Sequence, residues 1–542
     1  MAPSTMTLLA GSTAIAIVLD SKSPQYTINQ SRSITAACLF GLALLGQLIY
    51  TAVLYPCFLT PFKSLPKMNL FGRLMNRRDI EAAFTKLAST FNHDGLLRCY
   101  MPHGREMLLI LNSEGLADIL VRKPYNFVKP DHIKFDLSYL FAKGLFVAEG
   151  EEHKLLRKNL SPAFAFRHIK NLYPLFWTKS IQMADAMEHQ IGAEVDGNRV
   201  IKMHDWTTRA TLDIVGVAGM GFDFRSLQEP ENRIHQEYKR ITSSSRQPTL
   251  LLGLARSLGL ETIFQLGLKI PSRAKRIRAA ALQTVRGVAA EVVRAHTIKK
   301  GDANEMHTDI VSDAVHSGAF SEEDLVDETM TFVGAGHEST SAAFLWAVYA
   351  LCRHPSIQER LREEIHANLD VRSPSAGPSV TDKVDNMPYL NAFCNELLRF
   401  YPSVPVTLRR TVCDTTVDGL FVPAETMLAL PIRAINHDPR HWGPDAADFD
   451  PSRWLKPGMS HSGGATSSYA NMTFLHGPRS CIGTSFARSE LLFLIAALVG
   501  RFHMELENPD KEVECVLQIT ILPKDGLRVR MRSLGVPVKT AV

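Results

Sequence analysis

The chain has 542 residues, 45% of them hydrophobic, with 60 basic and 55 acidic side chains and a formal net charge of +5. That length and apolar content suffice to bury a large core, and so mild a charge balance excludes a nucleic-acid binder working through a basic surface. Eight cysteines, Cys38, Cys57, Cys99, Cys352, Cys394, Cys413, Cys481 and Cys515, form no CxxC pair, which excludes a zinc ribbon and a small disulfide framework and points to a reducing compartment.

In chain order, the first feature is Ile34 to Tyr55, a 22-residue run without a charge, the length of a membrane-crossing helix. Lys63, Lys67, Arg73, Arg77 and Arg78 follow it, against Lys22 and Arg32 before it. The positive-inside rule then puts the bulk of the protein on the cytosolic side. Pro56, Pro61 and Pro66 read as a stiff hinge. Met6 to Leu19 is a second, weaker apolar segment; it lacks a basic n-region, so a cleaved signal peptide does not fit. The expectation is an anchor region over 1–58, with a transmembrane helix at about 34–55, and one catalytic domain over 59–542.

Past the prolines, "LLRCYMPHGREMLLIL" reads as a β-hairpin around Pro102-His103-Gly104. Helical periodicity then dominates to about residue 370. "GEEHKLLRKNLSPAF" presents Lys154, Arg157 and Lys158 on a basic face that suits docking of an acidic partner. The longest helical pattern is "FSEEDLVDETMTFVGAGHESTSAAFLWAVYALCRHP", with Ser321 as N-cap, acids in the first turn and Pro355 at its end. Gly336 in mid-helix costs about 1 kcal/mol relative to Ala, so it needs a reason, such as a bulky planar group lying close. His337-Glu338 has no second His four residues on, so the string is not a zincin motif. "SIQERLREEIHANL" follows with Ile357, Leu361, Ile365 and Leu369 on one face. "DVRSPSAGPSV" and "KPGMSHSGGATSSY" are loops, the second a surface insertion. Short strands are expected near Thr415–Val422 and Cys515–Met531. The whole is mainly α with a minor β portion.

The last feature is "FLHGPRSCIG", one cysteine in a glycine-bounded basic loop ahead of a long apolar helix. As a nucleophile, Cys481 would need a base, and His476 is in the same loop. As a ligand for haem iron one thiolate suffices, since a porphyrin supplies four nitrogens and a thiolate pushes electron density toward iron. Gly477 and Gly483 let the backbone pass close to a flat macrocycle. N–H groups just after Cys481, at a helix start, would stabilise a charged sulfur. Arg479 could reach a propionate, and Phe474 could pack beside the ligand.

These residues carry a resemblance. Phe474, Gly477, Arg479, Cys481 and Gly483 match every fixed position of the haem-binding signature of the cytochrome P450 family. "NELLRF", with Glu396 and Arg399, is similar to that family's ExxR helix, and "FDPSRW" to the segment supplying a further arginine, Arg453. The resemblance runs from roughly residue 60 to the end and implies the P450 fold. It also implies haem b with a cysteine thiolate ligand, and a structural triad of Glu396, Arg399 and Arg453. "GEEHKLLRKNL" resembles the helix that usually reads Trp, three residues, Arg. Here His153 replaces the Trp and Arg157 is kept, which makes both haem-propionate candidates; Arg410, or Arg409 beside it, is another. In "AGHEST", Glu338, Ser339 and Thr340 occupy the acid–alcohol region that delivers protons during oxygen activation. Ser339 stands where a Thr is usual.

The resemblance implies oxygen-dependent hydroxylation, or a related oxidation, of a lipophilic small molecule. Electrons would come from NADPH through NADPH-cytochrome P450 reductase, at the endoplasmic reticulum membrane. The overall look is that of fungal microsomal members acting in terpenoid or polyketide secondary metabolism; fatty-acid hydroxylation is the alternative. Haem-thiolate isomerases and dehydratases that work without O2 tend to lack the acid–alcohol pair kept here. A haem-binding sensor or carrier would show no reductase-dependent turnover.

Overall fold

The computed structural model describes residues 5–28, 31–68, 94–100, 106–192, 198–243, 273–299, 309–373 and 376–535. Helices dominate, as the periodicity predicts. In chain order those needed below are α1 (Thr5–Lys22), α2 (Arg32–Ile49), α3 (Asp131–Phe141), α4 (Gly150–Leu160), α5 (Tyr173–Gly192) and α6 (Met203–Met220). They continue with α7 (Arg273–Lys299), α8 (Glu322–Arg353), α9 (Pro355–Asn368), α10 (Pro388–Phe400) and α11 (Thr484–Arg501).

Helix α8 is the axis of the molecule. Its start is set by Ser321, whose side chain accepts from the Asp324 N–H while the Asp324 carboxylate takes the Ser321 N–H, a capping box. Its middle is buried all round, from Leu325 to Gly334 and again from Thr340 to Val348, because α6, α7, α3 and α11 pack against it from different sides. Pro355 then opens α9 instead of extending α8. Leu361 and Ile365 of α9 are fully buried and Leu369 nearly so, on the face the spacing assigns to the core.

The β portion is minor. One six-stranded sheet contains β1 (Lys67–Met68), β2 (Leu96–Tyr100), β3 (Glu106–Ile110), β4 (Phe127–Val128), β5 (Thr407–Thr411) and β6 (Met427–Leu430), in the order β1-β2-β3-β6-β5-β4. Strands β2 and β3 pair antiparallel with Leu96 opposite Ile110 and Tyr100 opposite Glu106, as the hairpin reading requires; the turn at 102–104 lies outside the described residues. A separate hairpin, β7 (Cys515–Leu517) and β8 (Ile521–Pro523), reaches back to α8, where Trp346 donates its indole N–H to the Ile521 carbonyl at 2.9 Å. The glycine-rich stretch after Lys456 forms turns laid over Trp454: a Cβ at Gly463 would sit 2.9 Å from that indole.

The N-terminal expectation needs correction. Instead of one helix over about 34–55, α2 stops after 18 residues at Ile49 and gives way to π-type turns over Tyr50–Leu59. Pro56 lies within that stretch and has no N–H for an α-helical ladder. The weaker segment around Met6–Leu19 forms α1, which folds back on α2. Among the described residues, no helix is long and apolar enough to cross a membrane.

Candidate functional site

The cysteine loop is held from behind by a buried ion network. The α10 residues Glu396 and Arg399, one helical turn apart, pair at 2.6 and 2.9 Å. Arg453 reaches Glu396 at 3.2 Å, and Trp454 donates its indole N–H to the same carboxylate at 3.0 Å. All three charges are essentially inaccessible, at 0, 0 and 2% exposure. Such a triad survives burial only if its remaining donors are satisfied. Arg399 accordingly donates to the carbonyls of Asn436 (2.9 Å), Ala446 (2.8 Å) and Asp448 (2.9 Å).

Asn436 passes this order to the loop. Its side chain donates to the Arg399 carbonyl and to Thr473 Oγ1, both at 2.9 Å, and accepts from the Met472 N–H at 2.8 Å. Thr473 in turn donates to the Leu398 carbonyl at 2.7 Å. The loop beyond closes on itself, Cys481 N–H donating to the Phe474 carbonyl at 2.8 Å. Gly477 sits at φ +71°, where a Cβ would lie 2.1 Å from the Leu120 carbonyl oxygen, so no other residue fits.

Cys481 is accessible to solvent, yet burial still pushes its thiol up; the Gly483 N–H, the Thr484 hydroxyl and the Arg157 guanidinium pull it back down. His476 does not serve it as a base: its ring meets the Asn471 carbonyl at 3.1 Å and packs on Tyr469.

Beside the cysteine loop the basic residues converge. Arg157 of α4 donates to the Ser480 carbonyl at 2.5 Å. Arg479 is ion-paired with Glu149 and donates to the Ala148 carbonyl at 3.0 Å. His153 is buried and shares a 3.2 Å hydrogen bond with Tyr125; burial and then the neighbouring Arg479, Lys129 and Arg157 push it down to about 4, so it is neutral. Of the adjacent arginines on β5, alternation sends one to each face. Arg409 turns inward and is buried, whereas Arg410 turns out to Asp131 and Glu425. The cluster thus contains Arg409 where the sequence reading favours Arg410. It also contains Lys129, just past β4, which hydrophobic periodicity gives no reason to select.

This cluster has more cations than facing carboxylates. Burial, then Arg409 and Arg479, push Lys129 down to about 7, and burial, then Arg479, pushes Arg409 down to about 10; Glu149 opposes both shifts. A guest with two carboxylates would relieve that imbalance. Gly483 leaves a matching opening, since a Cβ there would meet nothing in the chain closer than 4.0 Å. These residues fit a flat, dianionic macrocycle placed against a thiolate.

In α8 the acid–alcohol residues diverge. Ser339 donates to the Ala335 carbonyl at 2.7 Å, within its own helix, and its own carbonyl accepts from Ser403 at 2.8 Å. Glu338 accepts from Thr520, in the turn between β7 and β8, at 3.4 Å. Thr340 is buried and faces Glu490 of α11, a carboxyl that the sequence reading passes over as one polar residue in an apolar helix. A Cβ at Gly336 would lie 3.0 Å from Val215 of α6, so the glycine permits close helix packing.

The Cytochrome P450 family model matches residues 61–528. The chain is a cytochrome P450. Among curated relatives, this P450 is 41% identical over 93% of its length to cytochrome P450 monooxygenase sphH of Aspergillus fumigatus, covering 94% of that protein. It is 37% identical to cytochrome P450 monooxygenase FSL4 of Gibberella zeae, with 90% of this chain and 91% of that one aligned. Among solved structures, the haem domain of cytochrome P450DA superposes with a TM-score of 0.70 at 22% identity, over 88% of this chain and 99% of that one, which shows the fold. The P450 is a monooxygenase, and its cofactor is haem with a cysteine thiolate ligand.

Proposed function

We propose that this P450 hydroxylates, or similarly oxidises, a lipophilic small molecule of fungal secondary metabolism, of the terpenoid or polyketide class, with Cys481 as the iron ligand. The observation that carries the reading is the loop itself. Supporting it, Arg157 and Arg479 brace the Cys481 loop, Lys129 and Arg409 lie close to Arg479, and a satisfied buried triad stands behind the loop. Bound there, the haem supplies oxygen activation and the oxidising power. The chain's own residues do the rest. The basic cluster would hold the propionates, Gly483 would leave room beside the cysteine, and Glu338 and Ser339 would hold protons at the helix groove. Support for the substrate class comes from similarity over nearly the full length to fungal monooxygenases, including FUM15 of Gibberella moniliformis at 34% identity.

The same reading takes NADPH-cytochrome P450 reductase as the electron donor and the endoplasmic reticulum as the location. The exposed face of α4, with Lys154 and Lys158, suits an acidic partner. The test is co-expression with that reductase in a host lacking related pathways, followed by binding spectra and product analysis against terpenoid, polyketide and fatty-acid panels. Oxidation confined to fatty acids overturns the substrate class; absence of NADPH-dependent oxidation of any lipophile overturns the activity.

A further inference from the structure

The turn between β7 and β8, Gln518-Ile519-Thr520, buries one hydroxyl. Thr520 is 1% exposed, while its neighbours Ile519, Ile521 and Leu522 pack in the main core. A buried hydroxyl is destabilising unless it finds a partner, and a valine of the same shape would sit here without that need. The side-chain partner it has is Glu338 of α8, whose carboxylate accepts its O–H at 3.4 Å. Glu338 lies on the half-open part of α8: Ala335, Gly336, Glu338 and Ser339 are partly exposed between the two buried runs of the helix.

The backbone around Thr520 is pinned on both sides. Gln518 donates its N–H to the Thr520 carbonyl at 3.0 Å. Ile521 donates its N–H to the Ser403 carbonyl at 2.9 Å, and its own carbonyl accepts from the Trp346 indole at 2.9 Å. Ser403 in turn donates its hydroxyl to the Ser339 carbonyl at 2.8 Å. These contacts close a ring, from Glu338 through Thr520, Ile521 and Ser403 to Ser339 and back along α8. Three stretches distant in sequence meet in it, so the hydroxyl is aimed at the carboxyl by the fold itself. The bond is longer than the about 2.5–2.7 Å usual for a hydroxyl on a carboxylate, so it directs the carboxyl without clamping it.

We propose that Thr520 is a positioning residue for Glu338: its hydroxyl holds the carboxyl to the hairpin side of α8 and thereby sets how readily a proton passes from Glu338 into the groove. This rests on the reading of Glu338 as a proton-holding group. Thr520 gives up no proton itself; it fixes where the carboxyl stands.

The test uses the full-length, haem-loaded protein with the reductase, NADPH, O2 and the compound of the lipophile panels that gives most product. Thr520→Val should lower product formed per NADPH consumed several-fold, with haem content and the carbon monoxide band of the reduced protein unchanged. Thr520→Ala, which adds no atoms, should do the same. Thr520→Ser restores the hydroxyl and should restore most of the coupling. In a Glu338→Gln background Thr520→Val should cost no further coupling, because no acid is left to position, whereas a packing defect would persist there. A second readout needs no turnover: the drop in denaturant midpoint of the haem-loaded protein caused by Thr520→Val should shrink once Glu338 is replaced by Ala. Full coupling in Thr520→Val and Thr520→Ala, a Ser variant as uncoupled as the Val one, an undiminished loss in the Gln background, or equal midpoint drops with and without Glu338 each overturns the assignment of Thr520 alone. Full coupling in Glu338→Gln itself would instead show that Glu338 holds no proton for the reaction, and the positioning role falls with it.

Discussion

The hydroxyl of Thr340 faces the fully buried carboxyl of Glu490 across the α8–α11 contact, while its neighbour Ser339 donates to the Ala335 carbonyl at 2.7 Å. Successive helical residues diverge by about 100°, so the two hydroxyls cannot serve the same oxygen. Burial raises Glu490 well above the usual carboxylate range, with the Thr340 hydroxyl opposing the shift.

Ser339→Ala should leave haem content intact and divert electrons to peroxide or water. Product formed per NADPH consumed should fall several-fold, within the ~10²–10⁴ range of a positioned proton-transfer group. Thr340→Ala should be milder in coupling. Collapse of coupling in Thr340→Ala with full coupling in Ser339→Ala would reverse the assignment.

Cys481→His should abolish both turnover and the strongly red-shifted carbon monoxide band of the reduced protein. An unchanged band would mean that another residue ligates iron.

Arg409→Ala should speed haem loss to a scavenger protein by an order of magnitude or so, about the effect of one charge-assisted pair worth ~1.5–3 kcal/mol. Arg410→Ala should not, since that guanidinium pairs with Asp131 and Glu425 outside the cluster. Equal rates of loss from the two variants would contradict the register argument.

Glu396→Ala leaves Arg399 and Arg453 buried without their carboxylate, which should cost about 3–5 kcal/mol. Little folded, haem-loaded protein should then be recovered. Denaturant unfolding of Asn436→Ala should show a smaller loss, with the haem spectrum perturbed because the triad is intact but its link to the loop is cut.

Glu328 carries a pH dependence. It is buried on α8, accepts from the Leu145 N–H at 2.8 Å, and is pushed up to about 8, chiefly by burial. The folded state thus keeps the proton that the unfolded chain releases near the ordinary glutamate value. Its contribution to stability declines as pH rises from about 4.5 to about 8 and is level outside that window. Glu328→Gln keeps the acceptor for Leu145, so it should flatten this slope and stabilise the protein at neutral pH by up to a few kcal/mol. An unchanged slope in denaturant midpoints across that range would refute it.

What the sequence determined by itself was everything written in local spacing. The cysteine loop is legible because Phe474, Gly477, Arg479, Cys481 and Gly483 act within one turn of backbone, and the ExxR pair because three residues make one helical turn. The Ser321 cap and the buried face of α9 are legible for the same reason. Tertiary structure decided the rest. Whether Arg409 or Arg410 faces inward depends on strand register, set by β4 and β6 from distant parts of the chain. Lys129, Asn436 and Glu490 gain their roles from partners far away in sequence, and periodicity marks none of them. Gly336 is needed because Val215, on another helix, approaches it. The N-terminal run reads as one apolar helix because hydropathy sums side chains without regard to partners. That α1 folds back on α2 is decided by the packing between them.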